Sequence, residues 1–192
     1  MCDLVDDLRR ARIGSTFNQY AVGPRASVLR ARLATYLAAR ADANVLLVGE
    51  APGYRGARVS GIAFTSERQL TGEGSAEATA TVVHRVLARL GLERDVLLWN
   101  VVPTHPGTET TNRAPTAAEV RYGLAFAERL AAGRRVIAVG RIAADALGAP
   151  YVRHPSRGGG QRFAEMLEAR LFQGPAAERP RRLLHSAAGG HP

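Results

Sequence analysis

Four short segments hold the residues able to do chemistry, and three of them follow an apolar run. Gly49-Glu50-Ala51-Pro52-Gly53 offers a carboxylate on a tight turn, and Gly61-Ile-Ala-Phe64 offers an aromatic face. Leu97-Leu-Trp-Asn100 ends on an amide, and His154-Pro155-Ser156-Arg157-Gly158-Gly159 offers an imidazole, a hydroxyl and a guanidinium. An amide presents donor and acceptor side by side, imidazole changes charge near neutrality, and an aromatic ring stacks on a flat ligand. Each segment also fits a plainer reading: a strand-to-helix turn, an amide capping a strand end, a loop histidine bonded to a backbone carbonyl. The joint occurrence of the turn, the amide and the histidine, in this order and each at the carboxyl end of a strand-like run, sets them apart.

The elements that must position these groups are readable from periodicity. Leu29, Leu33, Tyr36 and Leu37 are spaced for a helix over residues 26–40, followed by a short buried strand, Val45–Val48, stopped by Gly49. A second helix carries Val83, Val86, Leu87 and Leu90, ends at Gly91, and leads into an apolar run from Val96 to Val102 that Pro103 terminates. Thr116-Ala-Ala-Glu119 has the form of a capping box ahead of Val120, Leu124, Ala127 and Leu130. A third strand is expected over Arg135–Val139 with Gly140 behind it, and a fourth, short one at Tyr151–Arg153. A last helix bears Phe163, Met166, Leu167 and Leu171. Strands alternating with helices give a three-layer α/β/α fold around a mostly parallel four-stranded sheet. In such a sheet ligands bind beyond the carboxyl ends of the strands, where the segments 49–65, 100–106, 140–143 and 154–159 fall.

The chain of 192 residues, 46% of them hydrophobic, supports one buried core, expected over residues 1–173. A basic tail, 174–192, is rich in Pro, Arg, Gly and Ala and reads as poorly ordered or as a backbone-binding arm. No stretch reaches the roughly 20 apolar residues of a membrane span, and Asp3, Asp6 and Asp7 stand where a secretory signal would be basic, so no membrane partner and a cytoplasmic location are expected. The single cysteine, Cys2, excludes a disulfide framework and a cysteine-held zinc or iron–sulfur site, so no metal or other cofactor is expected. A formal charge of +9 favours a polyanion such as DNA, although all 26 basic residues are Arg, a bias the genome's codon usage would also produce.

Taken together, GEAPG (49–53), GIAF (61–64), LLWNVVP (97–103) and HPSRGG (154–159) resemble the uracil-DNA glycosylase superfamily, across residues 44 to about 172. Thirteen positions separate Ala51 from Phe64, as in the best-known members, while the turn and the Asn112-Arg-Ala-Pro-Thr116 run look more like the iron–sulfur branch, which needs four cysteines. The resemblance implies an enzyme of base excision repair that flips uracil out of DNA and hydrolyses its N-glycosidic bond. Its partners are then uracil-containing DNA and the free uracil released, with no obligatory protein partner evident.

The implied roles agree with the chemistry. Phe64 would stack on the extruded ring, offsetting part of the cost of unstacking; its plainer role is core packing. Asn100 matches uracil's O4 acceptor and N3–H donor and mismatches cytosine. His154 would hydrogen-bond O2, where negative charge collects as the bond breaks. Pro52, Arg113, Ser156, Arg157 and Gly158 would contact the DNA backbone near the gap, and Gly49, Ala51, Gly53 and Tyr54 would shape the base pocket.

Two departures stand out. The best-known members hold the attacking water with an Asp at the turn's third position, where this chain has Ala51; Glu50 is the neighbouring carboxylate, and it equally fits a charge bonded to backbone amides. Those members also exclude the thymine methyl with a Tyr at the fifth position, where this chain has Gly53, so discrimination falls to Tyr54, to backbone, or is incomplete. His105 reads either as a pocket-rim group or as part of a solvated loop. Two other functions fit less of the sequence: a uracil-DNA binding protein with little turnover, suggested by the missing Asp, and a general α/β nucleotide-binding enzyme, for which no phosphate-loop motif follows a strand.

Overall fold

The computed structural model describes residues 2–172; the basic tail proposed for 174–192 lies outside them. Four strands form the sheet: β1 (Val45–Gly49), β2 (Val96–Asn100), β3 (Arg135–Val139) and β4 (Tyr151–Val152). Eight helices surround it among the described residues: α1 (Cys2–Arg10), α2 (Ala26–Ala38), α3 (Ala57–Ser60), α4 (Glu67–Thr71), α5 (Ala78–Leu90), α6 (Ala117–Ala131), α7 (Arg141–Leu147) and α8 (Gly160–Phe172).

All strand pairs are parallel and the order is β2-β1-β3-β4. The chain leaves β1 toward one edge and returns across it to β3 and β4, so right-handed crossovers place α5 on one face and α6 with α7 on the other. In keeping with this, α8 packs on α5, and α6 on α7. Sandwiched strands must be apolar on both faces, which is why every residue of β2 is buried and so are Leu46, Leu47 and Val48 of β1. The outer edge of β2 is covered by α2, whose Tyr36 hydroxyl accepts the Leu98 N–H at 2.7 Å.

The expected α2, with Leu29, Leu33, Tyr36 and Leu37 buried, and the capped α6 form as anticipated. The run to Val102 is corrected at its end: β2 stops at Asn100, and Val101 and Val102 continue as a loop whose N–H groups still donate to the carbonyls of Gly49 and Glu50, at 2.9 and 3.0 Å. This clamp fixes the ends of β1 and β2 side by side. Connections from β1 and β3 depart in opposite directions, so the crevice of this sheet opens between their carboxyl ends.

Candidate active site

The crevice is a cavity of about 820 Å³, walled by the segments that follow all four strands. From β1 come Glu50, Ala51, Pro52 and Gly53; from β2, Asn100; from β3, Gly140, Arg141 and Ile142; and from β4, His154, Ser156 and Arg157. Phe64 reaches in from the loop between α3 and α4.

Phe64 is held in a costly conformation. Its φ of 52° lies in the left-handed region, where a bulky side chain costs about 1–3 kcal/mol, and such strain persists only where the surroundings impose it. Here the buried Ser60 hydroxyl donates to the Thr65 carbonyl at 2.6 Å, the Thr65 hydroxyl donates to the Ala63 carbonyl at 3.1 Å, and His84 Nε2 sits 3.0 Å from the same Thr65 oxygen. The ring is thereby laid over Gly49. A Cβ on Gly49 would collide with the ring and lie 2.8 Å from Asn100 Oδ1, so only glycine lets the aromatic face and the amide approach each other.

Asn100 faces Gly49 across the β1–β2 ladder and is only 5% exposed. Buried amides are normally satisfied by the protein. This one makes no side-chain hydrogen bond among the described residues, and it lines the cavity. Its donor and acceptor are thus free for a ligand edge.

His154 has a defined tautomer. The Ser156 backbone N–H, which can only donate, points at Nδ1 at 3.2 Å, and the Ser156 hydroxyl lies 2.9 Å from the same atom. Nδ1 is therefore the acceptor, and the neutral ring carries its proton on Nε2. Burial holds the imidazole below its ordinary pKa, which favours that neutral form. Glu50, the first residue beyond β1, is half-buried, and burial raises its carboxyl above the usual range.

Most expected site residues therefore meet in one hollow: Glu50, Ala51, Pro52, Gly53, Phe64, Asn100, Arg113, His154, Ser156 and Arg157 line it, with Gly49 directly beneath Phe64 and Asn100. Others are corrected. Tyr54 does not line the cavity: its N–H donates to Asn112 Oδ1 at 2.9 Å and the Arg55 guanidinium lies over its ring. Gly158 is exposed beside the cavity and is not part of its wall. His105 is neither a rim group nor solvated. It is 0% exposed, with Nδ1 2.7 Å from the Pro52 carbonyl oxygen and Nε2 2.8 Å from that of Thr108, a strut fastening the first turn to the loop after β2. Arg113 stands at the wall, but both prongs of its guanidinium donate to the buried Glu119 at 2.7 and 2.6 Å. Its geometry anchors the 112–116 loop to α6 and does not present a free phosphate clamp.

The structure adds Glu77, Thr79, Asn112, Arg141, Tyr151 and Arg153 to the wall. Arg141 was within reach of sequence reasoning, since it opens the segment after β3. Glu77 lay in no such segment.

The hollow combines a strained aromatic floor from the α3–α4 loop with an unpartnered amide and a neutral imidazole donor at strand ends. A family model described as the uracil DNA glycosylase superfamily matches residues 37–168, well over half of the chain. The chain belongs to that superfamily. Its members are DNA glycosylases. Among solved structures, SMUG2 from Pedobacter heparinus superposes with a TM-score of 0.63 at 13% identity, covering 88% of this chain and 96% of that one, a likeness of fold. UNG from Nitratifractor salsuginis matches at a TM-score of 0.43 and 19% identity, over 72% of this chain and 77% of that one. No curated protein matches the chain in sequence.

Among the described residues no helix is long and apolar enough to cross a membrane, and no three His, Cys, Asp or Glu side chains are grouped to hold a metal ion.

Proposed function

We propose that the protein excises uracil from DNA by hydrolysing the bond between uracil N1 and the sugar C1′. A deaminated base paired with guanine is the easiest to extrude, because its pairing is already poor. Once in the crevice, the ring stacks on Phe64, and Asn100 donates to O4 and accepts from N3–H. With the amide held so that Nδ2 meets position 4 of the ring, cytosine presents an amine and a bare N3 to it and leaves both partners unpaired.

As the N1–C1′ bond lengthens, the bonding electrons move onto the ring and the sugar becomes cationic. The Nε2–H of His154 donates to O2, where that charge gathers, and a neutral donor suffices because its position is fixed before reaction. Water adds to C1′ and gives up a proton, the uracil anion takes one up, and the products are an abasic sugar and free uracil. Glu50 supplies the carboxylate that orients this water in place of a side chain at Ala51. Arg157 and Ser156 at the mouth take the flanking phosphates.

The observation that supports this reading most is the Asn100 amide, 5% exposed and without a protein partner, lining the same cavity as Phe64 and His154. The missing Asp of the first turn keeps one rival in view, binding of uracil-DNA without turnover. Incubating the protein with a labelled duplex holding one U·G pair, followed by alkali, separates the two. Strand scission supports the proposal; an unbroken, retarded complex supports the rival.

A further inference from the structure

We propose that Glu77 is the residue that meets C5 of the bound pyrimidine and sets the preference for uracil over thymine; this rests on the uracil-excision reading above. Glu77 stands at the N-cap of α5, outside the segments that follow the strands, yet its side chain lines the cavity. Its carboxylate fills the space above the first turn: a Cβ on Gly53 would lie 2.6 Å from Oε1, and one on Gly56 would collide with Oε2. Two glycines three positions apart thus form the notch that admits it.

The carboxylate is not occupied elsewhere. It makes no capping bond to its own helix and enters no ion pair or side-chain hydrogen bond among the described residues. Burial alone raises its pKa, with no cation or donor opposing the rise. A half-buried carboxylate with no protein partner is costly to keep, and this one stands at the cavity.

The edges of the base select its role. On Phe64 the ring turns its N3–H and O4 to Asn100, its O2 to His154 and its N1 to the sugar. The edge left over is C5–C6, and Glu77, with Gly53 and Thr79, stands in wall that neither Asn100 nor His154 takes up. A C–H at C5 is a tolerable, weakly polar neighbour for a carboxylate oxygen. A methyl at the same place collides with it and strips its water without offering a hydrogen bond. A misplaced methyl in a fitted pocket costs about 10–200-fold in relative rate.

The test compares wild type, Glu77→Ser and Glu77→Gln in single-turnover release of uracil and of thymine from duplexes in which either base opposes guanine. Serine is chosen because it caps helices well, and glutamine because it keeps the volume while removing the charge. Thermal melting of each variant checks its fold. The thymine-to-uracil rate ratio is expected to rise about tenfold or more in Glu77→Ser, and by a smaller factor in Glu77→Gln. A ratio unchanged in both variants overturns the proposal. So does a matched loss of both rates, which would make Glu77 a water-orienting group. Wild type that releases no uracil defeats the excision reading itself; wild type that does so, with no change of ratio in the variants, defeats only the assignment of Glu77.

Discussion

Replacing Gly49 by Ala puts one methyl group at the point where two site residues converge. The added carbon collides with Cζ of the Phe64 ring and lies 2.8 Å from Asn100 Oδ1. Neither neighbour can retreat easily. Phe64 is 7% exposed with its backbone pinned at a positive φ, and Asn100 is fixed by the β1–β2 ladder and by the Val101 N–H on the Gly49 carbonyl at 2.9 Å. The ring must tilt into the space meant for the base. Base stacking is worth about 1–3 kcal/mol and a buried polar group left unsatisfied about 1–3 kcal/mol, so transition-state binding should weaken by roughly 2–6 kcal/mol. At about 1.4 kcal/mol per factor of ten, kcat/KM for uracil release falls by roughly 30-fold to 10⁴-fold. Overpacking also lowers stability by about 1–3 kcal/mol, which urea unfolding would register separately. The assay is release of labelled uracil from a duplex at enzyme excess, at a temperature where the variant remains folded. A variant within threefold of wild type would mean that Phe64 and Asn100 do not form the base slot.

Further outcomes follow from charge. Because burial lowers the His154 pKa and Ser156 N–H occupies Nδ1, the neutral ring persists as pH falls through the ordinary value of 6.5. The fall in kcat attributable to His154 should therefore lie below pH 6.5; a midpoint above it would contradict the neutral donor. Glu119 is depressed from 4.5 to about 2, chiefly by the Arg113 guanidinium, so its stabilisation is complete above the unfolded value and is lost as pH falls from 4.5 toward 2. Urea unfolding should show up to about 3 kcal/mol lost over that window in wild type and little of it in Glu119→Gln; equal losses would refute the assignment. DNA affinity should fall steeply with salt, and Arg157→Ala should reduce the slope of log K against log salt by about 1; an unchanged slope removes Arg157 from the phosphate contacts.

The strands were legible because a sheet covered on both faces demands short β-branched and leucine-rich runs, and a run such as Val45–Val48 has few other uses. Asn100 and His154 were legible for a related reason: parallel topology brings successive strand ends together, and Phe64 lies farther along the connection that leaves β1. What escaped depended on tertiary contact. The first helix, α1, was read only as an acidic opening, although Leu4, Val5 and Leu8 are spaced for one buried face and all three are buried. Helices α3, α4 and α7 span 4, 5 and 7 residues, too few for a periodic signal. Glu119 was visible as a capping box, and it does cap α6, but nothing in the sequence pairs it with Arg113. His105 has a polar side chain on what reads as a loop, and only the fold shows both ring nitrogens enclosed by carbonyls. Glu77 enters from a helix cap, and its sole trace in the sequence is the absence of side chains at Gly53 and Gly56.

The most direct test of the base site is the release of free uracil, detected by mass spectrometry, from one U·G duplex by wild type and by Phe64→Ala, Asn100→Ala and His154→Ala. Wild type should release one uracil per duplex, and each variant should be slower by about tenfold or more, with His154→Ala losing about 10²–10³-fold while still binding the duplex. Wild type that releases none, or three variants that match it, would contradict the assignment of these residues to a uracil-cleaving site.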